Sequence, residues 1–383
     1  MNILKLLRDI INFLYIFFIV NDNFIVDIFG EFALKIMFVI FFVINIMSLF
    51  KFNYRLKVNK RFILLIFILL FSYAFNLKNY SDIQQPLMSL LSVIMIYVVT
   101  STYDRPKILM GVFLISVFFS SLICITSDTT LTDYTFRKTG GTGDPNEFSM
   151  MVLISISYLV GTFRIRTPLL KRVLQIVVIL IYFVALFMAG SKSAMLTLVV
   201  LALSYYIMLL NKKTFKKRMK NTVLYVVLFG GIFGVLWTIN REVIFNVLER
   251  FENNSSAGER LLSWGAGLEL WLKSPFFGIG PQNYANMIAE YFPYIAETSR
   301  VAHNIFIQIF VEAGVFGLIA FMAFIATPIK NSFRRIIPIE YILGFISILV
   351  MGMTLAAFFE KYVWLYFGII CNSYVSQYMI KRR

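Results

Sequence analysis

Apolar residues in this chain come in long, nearly unbroken runs, unlike the alternating or one-faced patterns of soluble strands and helices. Runs close to the roughly 20 residues that span about 30 Å of hydrocarbon recur from end to end. They fall near 10–28, 33–50, 62–77, 87–101, 107–126, 146–162, 170–189, 193–210, 221–239, 303–327, 339–357 and 361–379. The pattern predicts an all-α polytopic membrane protein of about 12 transmembrane helices, a single integral membrane domain over residues 1–383. One large polar interval, 240–302, interrupts it before the tenth span. The first run has no small-residue cleavage site and is expected to remain as an anchor.

Composition agrees with this pattern. With 59% hydrophobic and 15% charged residues, the 383-residue chain carries more apolar surface than a soluble core could bury. The net charge of +16 would suit a nucleic-acid partner, but its placement gives a different explanation. With the N-terminus inside, the inner segments hold 25 of the 36 Lys and Arg and only three of the 20 acids, Asp9, Asp104 and Glu340. That is the positive-inside bias, and no nucleic acid is needed. Both termini are therefore expected in the cytoplasm, with 240–302, 127–145 and the tight turn 190–192 on the outer face. Cys124 and Cys371 lie far apart inside apolar runs, which excludes a disulfide framework, and no metal or cofactor is implied.

Three outer elements carry the candidate chemistry. The first ends in GGTGDPNEF, where Asp144 and Pro145 suit the start of the sixth span and put Asn146 in its first turn. In the second, AGSKSA (189–194) sets Lys192 at an outward helix start, against both the helix dipole and the charge bias. Backbone N–H groups and an ammonium there would suit a phosphate. The third is AGERLLSWGAGLELWLK (257–273), which predicts an amphipathic helix lying in the membrane interface. Leu261, Trp264, Leu268, Trp271 and Leu272 form its apolar stripe, and Arg260 sits at the stripe's edge, beside Glu259, at headgroup level. SPFFGIGPQNY (274–284) then predicts a tight irregular connection. His303, the one histidine in the chain, lies with Asn304 at the mouth of the tenth span, where the helix dipole keeps an imidazole neutral and basic. Glu312, a few turns further on, is expected to face the bundle interior and to pair with or orient another group.

AGSKSA (189–194), GERLLSWGAGLELWLKSPFFGIGPQNY (258–284) and HNIFIQIFVEAGVFGL (303–318), with GDPNE (143–147) upstream, resemble the O-antigen polymerase and O-antigen ligase superfamily. The resemblance implies a C-type glycosyltransferase-like architecture in a bacterial inner membrane. It also implies metal-independent transfer of glycan from an undecaprenyl diphosphate carrier on the periplasmic or outer side. His303 matches the proposed base, Arg260 the arginine that engages diphosphate, and Lys192 a position usually held by arginine. Asn146, Glu259, Trp264, Asn304 and Glu312 are then the candidate substrate-binding residues. The expected partners are a lipid-linked donor, a glycan acceptor and membrane lipid, with a chain-length regulator and a flippase as further candidates. The leading expectation is a polymerase of lipid-linked repeat units for O-antigen, capsule or exopolysaccharide. The alternatives are a ligase that moves finished glycan to lipid A core or another acceptor, and a polysaccharide transporter or flippase.

Overall fold

The computed structural model describes residues 3–52, 58–127, 137–163, 167–210, 255–297, 300–334, 336–372 and 375. The ninth expected span, 221–239, and residues 240–254 of the large interval lie outside the described residues. Among those described, regular structure is entirely helical.

The first half comprises α1 (Ile3–Val20), α2 (Asp22–Phe29), α3 (Glu31–Phe52), α4 (Lys60–Phe75), α5 (Gln84–Thr102) and α6 (Pro106–Thr126). It continues through α7 (Pro145–Thr162), α8 (Leu169–Ala189) and α9 (Lys192–Leu210). The second half comprises α10 (Ser255–Lys273), α11 (Tyr284–Tyr291), α12 (Pro293–Ala296), α13 (Ile305–Phe333), α14 (Ile339–Gly352) and α15 (Lys361–Cys371). Five helices, α3, α5, α6, α8 and α13, are long and apolar enough to cross a membrane. Large apolar side chains such as Ile36, Val43, Leu170 and Leu203 point outward, as a helical protein surrounded by lipid requires.

Two boundaries differ from the hydropathy reading. The first run, expected at 10–28, is two helices, because buried Asn21 breaks it and donates from Nδ2 to Phe17 O at 3.1 Å and Ser116 O at 3.3 Å. Within the last run α15 ends at Cys371, where Asn372 is extended and donates from Nδ2 to Thr100 O and Tyr103 O, each at 2.9 Å; the rest of that run, apart from Val375, lies outside the described residues. In both places a side-chain amide completes the hydrogen bonding of a neighbouring helix, which hydropathy along one segment does not register.

Helices pack mainly as α7 on α14, α5 on α15, α4 on α13, and α1 on α3 and α6. At the centre Phe62 stacks on Tyr97 with ring centroids 3.7 Å apart, and Phe324 and Trp364 close around them. Lipid tails are as apolar as these rings, so close packing rather than expulsion from water holds the helices together.

The bundle has two polar ends. At one, Lys5 Nζ meets Asp104 Oδ2 at 3.0 Å, Arg8 Nη2 meets Asp9 Oδ1 at 3.1 Å, and Arg105 closes on Asp9. Nearby, Arg61 Nη1 reaches Ala323 O at 2.9 Å and Thr327 Oγ1 at 3.1 Å. The opposite end gathers the starts of α7, α9 and α13 together with α10, and it holds the candidate chemistry.

A break in α13 ties this second end together. Gly314 has φ +68 and ψ −167, so the helix is interrupted inside the run expected to cross without a break. In an intact helix the N–H groups of residues 315 and 316 would bond the carbonyls of 311 and 312. Instead Val315 N donates to Pro275 O at 3.0 Å and Phe316 N to Phe276 O at 3.3 Å. The freed carbonyls accept from Ile279 N at 3.0 Å and Gly280 N at 2.9 Å. The connection 274–283 thus replaces one helical turn's bonds, so the N–H groups of 315 and 316 and the carbonyls of 311 and 312 stay paired in an apolar setting. From α4, Ser72 Oγ lies 2.6 Å from Phe277 O, and Asn76 Nδ2 donates to Gly278 O at 3.0 Å.

Candidate functional site

Each helix start at this end is set by a short polar side chain. Asp144 caps α7, its Oδ1 accepting from Asn146 N at 2.5 Å and Glu147 N at 3.1 Å, as the DPN sequence requires. Gly190, left-handed with φ 58, ends α8 and lets the chain turn directly into α9, whose first residue is Lys192. Ser191 Oγ donates to Asn146 Oδ1 at 2.8 Å. Arg137 Nη2 donates to the same oxygen at 2.8 Å, and its Nε reaches Ala189 O at 3.1 Å. The starts of α7 and α9 are therefore stitched together through Asn146, which brings Lys192 to the helix start that Asp144 caps.

His303 is fixed from both sides. Before it, Trp264 Nε1 donates to Ala302 O at 2.6 Å and Ser263 Oγ to Val301 O at 3.1 Å, which holds the chain against α10. After it, Asn304 caps α13, with Oδ1 accepting from Phe306 N at 2.9 Å and Ile307 N at 3.2 Å. Asn304 Nδ2 also donates to Met353 O at 3.1 Å, beyond the end of α14. Between these anchors His303 adopts φ 45, a left-handed conformation uncommon outside glycine and costing about 1–3 kcal/mol when imposed on a larger residue. The anchoring on either side sustains it.

Arg260 lies one turn before Trp264 on the same side of α10 and is half-buried. Burial and the Arg260 charge hold the His303 imidazole below its ordinary value of 6.5, against the opposing pull of Asp144 and Glu259. Burial likewise works against the Arg260 charge, and Asp144 and Glu259 favour it. Arg260, His303, Asp144 and Glu259 thus form one electrostatic group: a cation, a neutral imidazole able to take a proton, and two carboxylates that stabilise imidazolium once it forms.

The other expected residues also make bonds within the protein. Trp264, Asn146 and Asn304 spend polar atoms on the backbone and side-chain bonds that hold His303 and the two helix starts. Glu312 faces the interior, 3% exposed: Oε1 accepts from Tyr284 N at 3.4 Å, and the Gln282 backbone and the Gln308 side chain also bond its carboxylate, seating the end of the 274–283 connection. The α10 stripe is half as expected. Leu261, Leu268 and Leu272 are exposed along the outer side, but Trp264 and Trp271 turn inward and bond Ala302 O and Pro275 O. The face that packs on the protein is Ser263, Ala266 and Leu270, against Tyr284, Ile288 and Val311.

Sequence reasoning missed Arg137 as the link to Asn146, and it did not bring Asp22 or Glu360, the latter read as an outer-turn interface residue, to the neighbourhood of Asp144. Burial and Asp22 push Glu360 up to about 7 against the pull of Lys361. A basic residue in an outer loop is the same counter-trend signal that singled out Lys192, and it would have found Arg137. Among the described residues no three His, Cys, Asp or Glu side chains converge as metal ligands.

Residues 176–322 match the family model described as O-Antigen ligase, and that stretch includes Lys192, Arg260, His303 and Glu312. Over that stretch the chain is similar to the O-antigen ligase family. A ComP-specific O-oligosaccharyltransferase of Acinetobacter baylyi is 28% identical over 224 residues, an alignment spanning 52% of this chain and 37% of that protein. The O-antigen ligase match begins after Asp144 and Asn146, so the helix start facing His303 is supplied from outside the matched stretch.

Trp264→Phe keeps the ring and removes the bond to Ala302 O. With His303 as the base, as proposed below, we expect normal yield of folded protein and turnover reduced about fivefold, the effect of losing one orienting hydrogen bond of roughly 1 kcal/mol. Unchanged turnover would show that the Trp264 bond does not set His303.

Proposed function

We propose that this protein is a membrane glycosyltransferase that uses an undecaprenyl-diphosphate-linked glycan as donor on the outer face of the cytoplasmic membrane. The observation that carries this reading is the pairing of Arg260 with a neutral, half-buried His303 at the end of the bundle opposite the basic network around Lys5, Arg8 and Arg105. In the reaction an acceptor hydroxyl loses its proton to the His303 imidazole, and its oxygen attacks the anomeric carbon of the donor sugar. The bond from that carbon to the diphosphate oxygen breaks, and undecaprenyl diphosphate departs with the electron pair. Arg260 holds the departing diphosphate through a planar guanidinium that suits two parallel hydrogen bonds. Lys192, at the start of α9, adds positive charge on the phosphate side. Asp144 steadies the imidazolium formed as the proton arrives.

Polymerisation of repeat units is the reading we favour, with the acceptor being another unit on its own carrier. Transfer to a distinct acceptor is the second reading, favoured by the ligase description of the matched family and by the oligosaccharyltransferase relative. The test is purified protein in nanodiscs supplied with lipid-diphosphate repeat units alone. A ladder of products with release of undecaprenyl diphosphate establishes polymerisation. A single product formed only when a second acceptor is added establishes ligation, and no release under either condition overturns the assignment.

The pH dependence follows from His303. Burial and the Arg260 charge lower its titration from the ordinary 6.5, so the neutral, basic form persists to lower pH than in a free imidazole. Transfer should therefore fall on acidification, with the midpoint of that fall below 6.5. An acidic limb centred above 6.5 would contradict His303 as the base.

A further inference from the structure

A cavity of about 800 Å³ opens at the site end of the bundle but away from His303 and Arg260. Its walls come from the short turn after α4, from the end of α10 and from α11. Arg260 is near the start of α10 and Lys273 is its last residue. At 1.5 Å per residue the cavity thus lies about 20 Å along the helix from the reacting groups. Its floor is well built: Asn76 is bonded to Gly278 O at 3.0 Å, Asn79 Nδ2 donates to Asn76 Oδ1 at 3.1 Å, and Tyr80 OH donates to Pro281 O at 2.9 Å.

Around that floor stand exposed groups of a particular kind. Lys78 and Lys273 line the cavity from different elements, Asn286 and Glu290 come from α11, and Tyr291 presents a ring over which Lys273 Nζ sits 3.1 Å from the centroid. Two ammonium groups to one carboxylate favour an anion. The amide, the carboxylate and the aromatic ring suit hydroxyl groups and the apolar face of a sugar ring. An acyl chain would need apolar walls, which α10 presents on its other side through Leu261, Leu268 and Leu272. A volume of this size is in the range that takes ligands of several rings.

We infer that this cavity is a second glycan site, binding a short oligosaccharide that carries an acidic substituent such as a uronate. The inference rests on the proposed transferase function only in naming the occupant: the cavity holds sugars of the bound chain that lie remote from the bond being made. Lys78 and Lys273 pair with the acidic group, and Asn286 and Glu290 bond its neighbouring hydroxyls.

The test measures binding and transfer separately on the full-length protein in nanodiscs. The probes are trigalacturonate and, as the uncharged control, maltotriose, each titrated in phosphatidylcholine and in phosphatidylglycerol discs. Trigalacturonate should bind in both lipids, maltotriose more weakly, and Lys78→Ala and Lys273→Ala should each weaken trigalacturonate about tenfold, as expected for loss of a charged hydrogen bond. Arg260→Ala should leave this binding unchanged. Binding by both lysine variants as tight as the parent's, no binding at all, or loss of binding in phosphatidylglycerol discs because the headgroup occupies the cavity would each overturn the proposal. Binding that follows these lysines in a protein without transfer activity would uphold the cavity and remove the transferase reading. Active transfer without such binding would do the reverse.

Discussion

His303→Ala is expected to stop glycan transfer, lowering the rate by about 10²–10⁴-fold, while folded protein accumulates normally in the membrane. The size follows from the role: a positioned base contributes about that much, and no second imidazole exists in the chain to replace it. Folding should survive because the neighbours of His303, not its own ring, carry the local bonds, through Trp264 to Ala302 and from Asn304 into α13. Alanine does not favour the left-handed conformation at φ 45, so His303→Asn, which tolerates it, is the companion variant. Both should be monodisperse, and both should lose the acidic limb of the pH profile together with the activity. Full product formation by either, measured as undecaprenyl diphosphate released, would show that another group takes the proton.

Gly314→Ala is expected to cost the fold rather than the chemistry. At φ +68 and ψ −167 only glycine is comfortable, and a larger residue there loses about 1–3 kcal/mol. An added Cβ would also stand 2.3 Å from Phe276 O, so the 274–283 connection would have to move away from the carbonyls it bonds. Overpacking of that kind costs about a further 1–3 kcal/mol. The two together consume much of a typical stability of about 5–15 kcal/mol. Gly278→Ala should behave alike, since its Cβ would lie 2.4 Å from Glu312 O at φ +71. Yield of monodisperse protein and Tm in detergent are the measurements, and a variant with the parent's Tm would mean that the broken turn is not what anchors the connection.

The expected residues that the structure gathers were legible because each stands at a helix start signalled by local sequence. DPN announces Asp144 as a cap, GSKS announces a turn with Lys192 just past it, and HN announces a capped start with His303 outside it. The break at Gly314 was not legible, since its bonds come from residues 275–280, more than thirty positions earlier, and the run around it is as apolar as an uninterrupted span. The split of the first run at Asn21 is similar: the NDN triplet is visible, but Ser116, which receives the amide, is far along the chain. The bonds that Asn146, Trp264 and Asn304 make within the protein were not legible for one reason. A polar side chain at a functional rim can face substrate or backbone, and only the tertiary neighbours decide which.

Because His303 is clamped by Trp264 and Asn304, its aim does not depend on the exposed side chains Asn286 and Glu290 of α11 or on Lys78 in the turn after α4. Those surfaces are therefore at liberty to drift. Under the roles proposed above, changes at Lys78, Asn286 or Glu290 would refit the cavity without retuning the proposed proton acceptor, which separates the evolution of sugar preference from the evolution of rate.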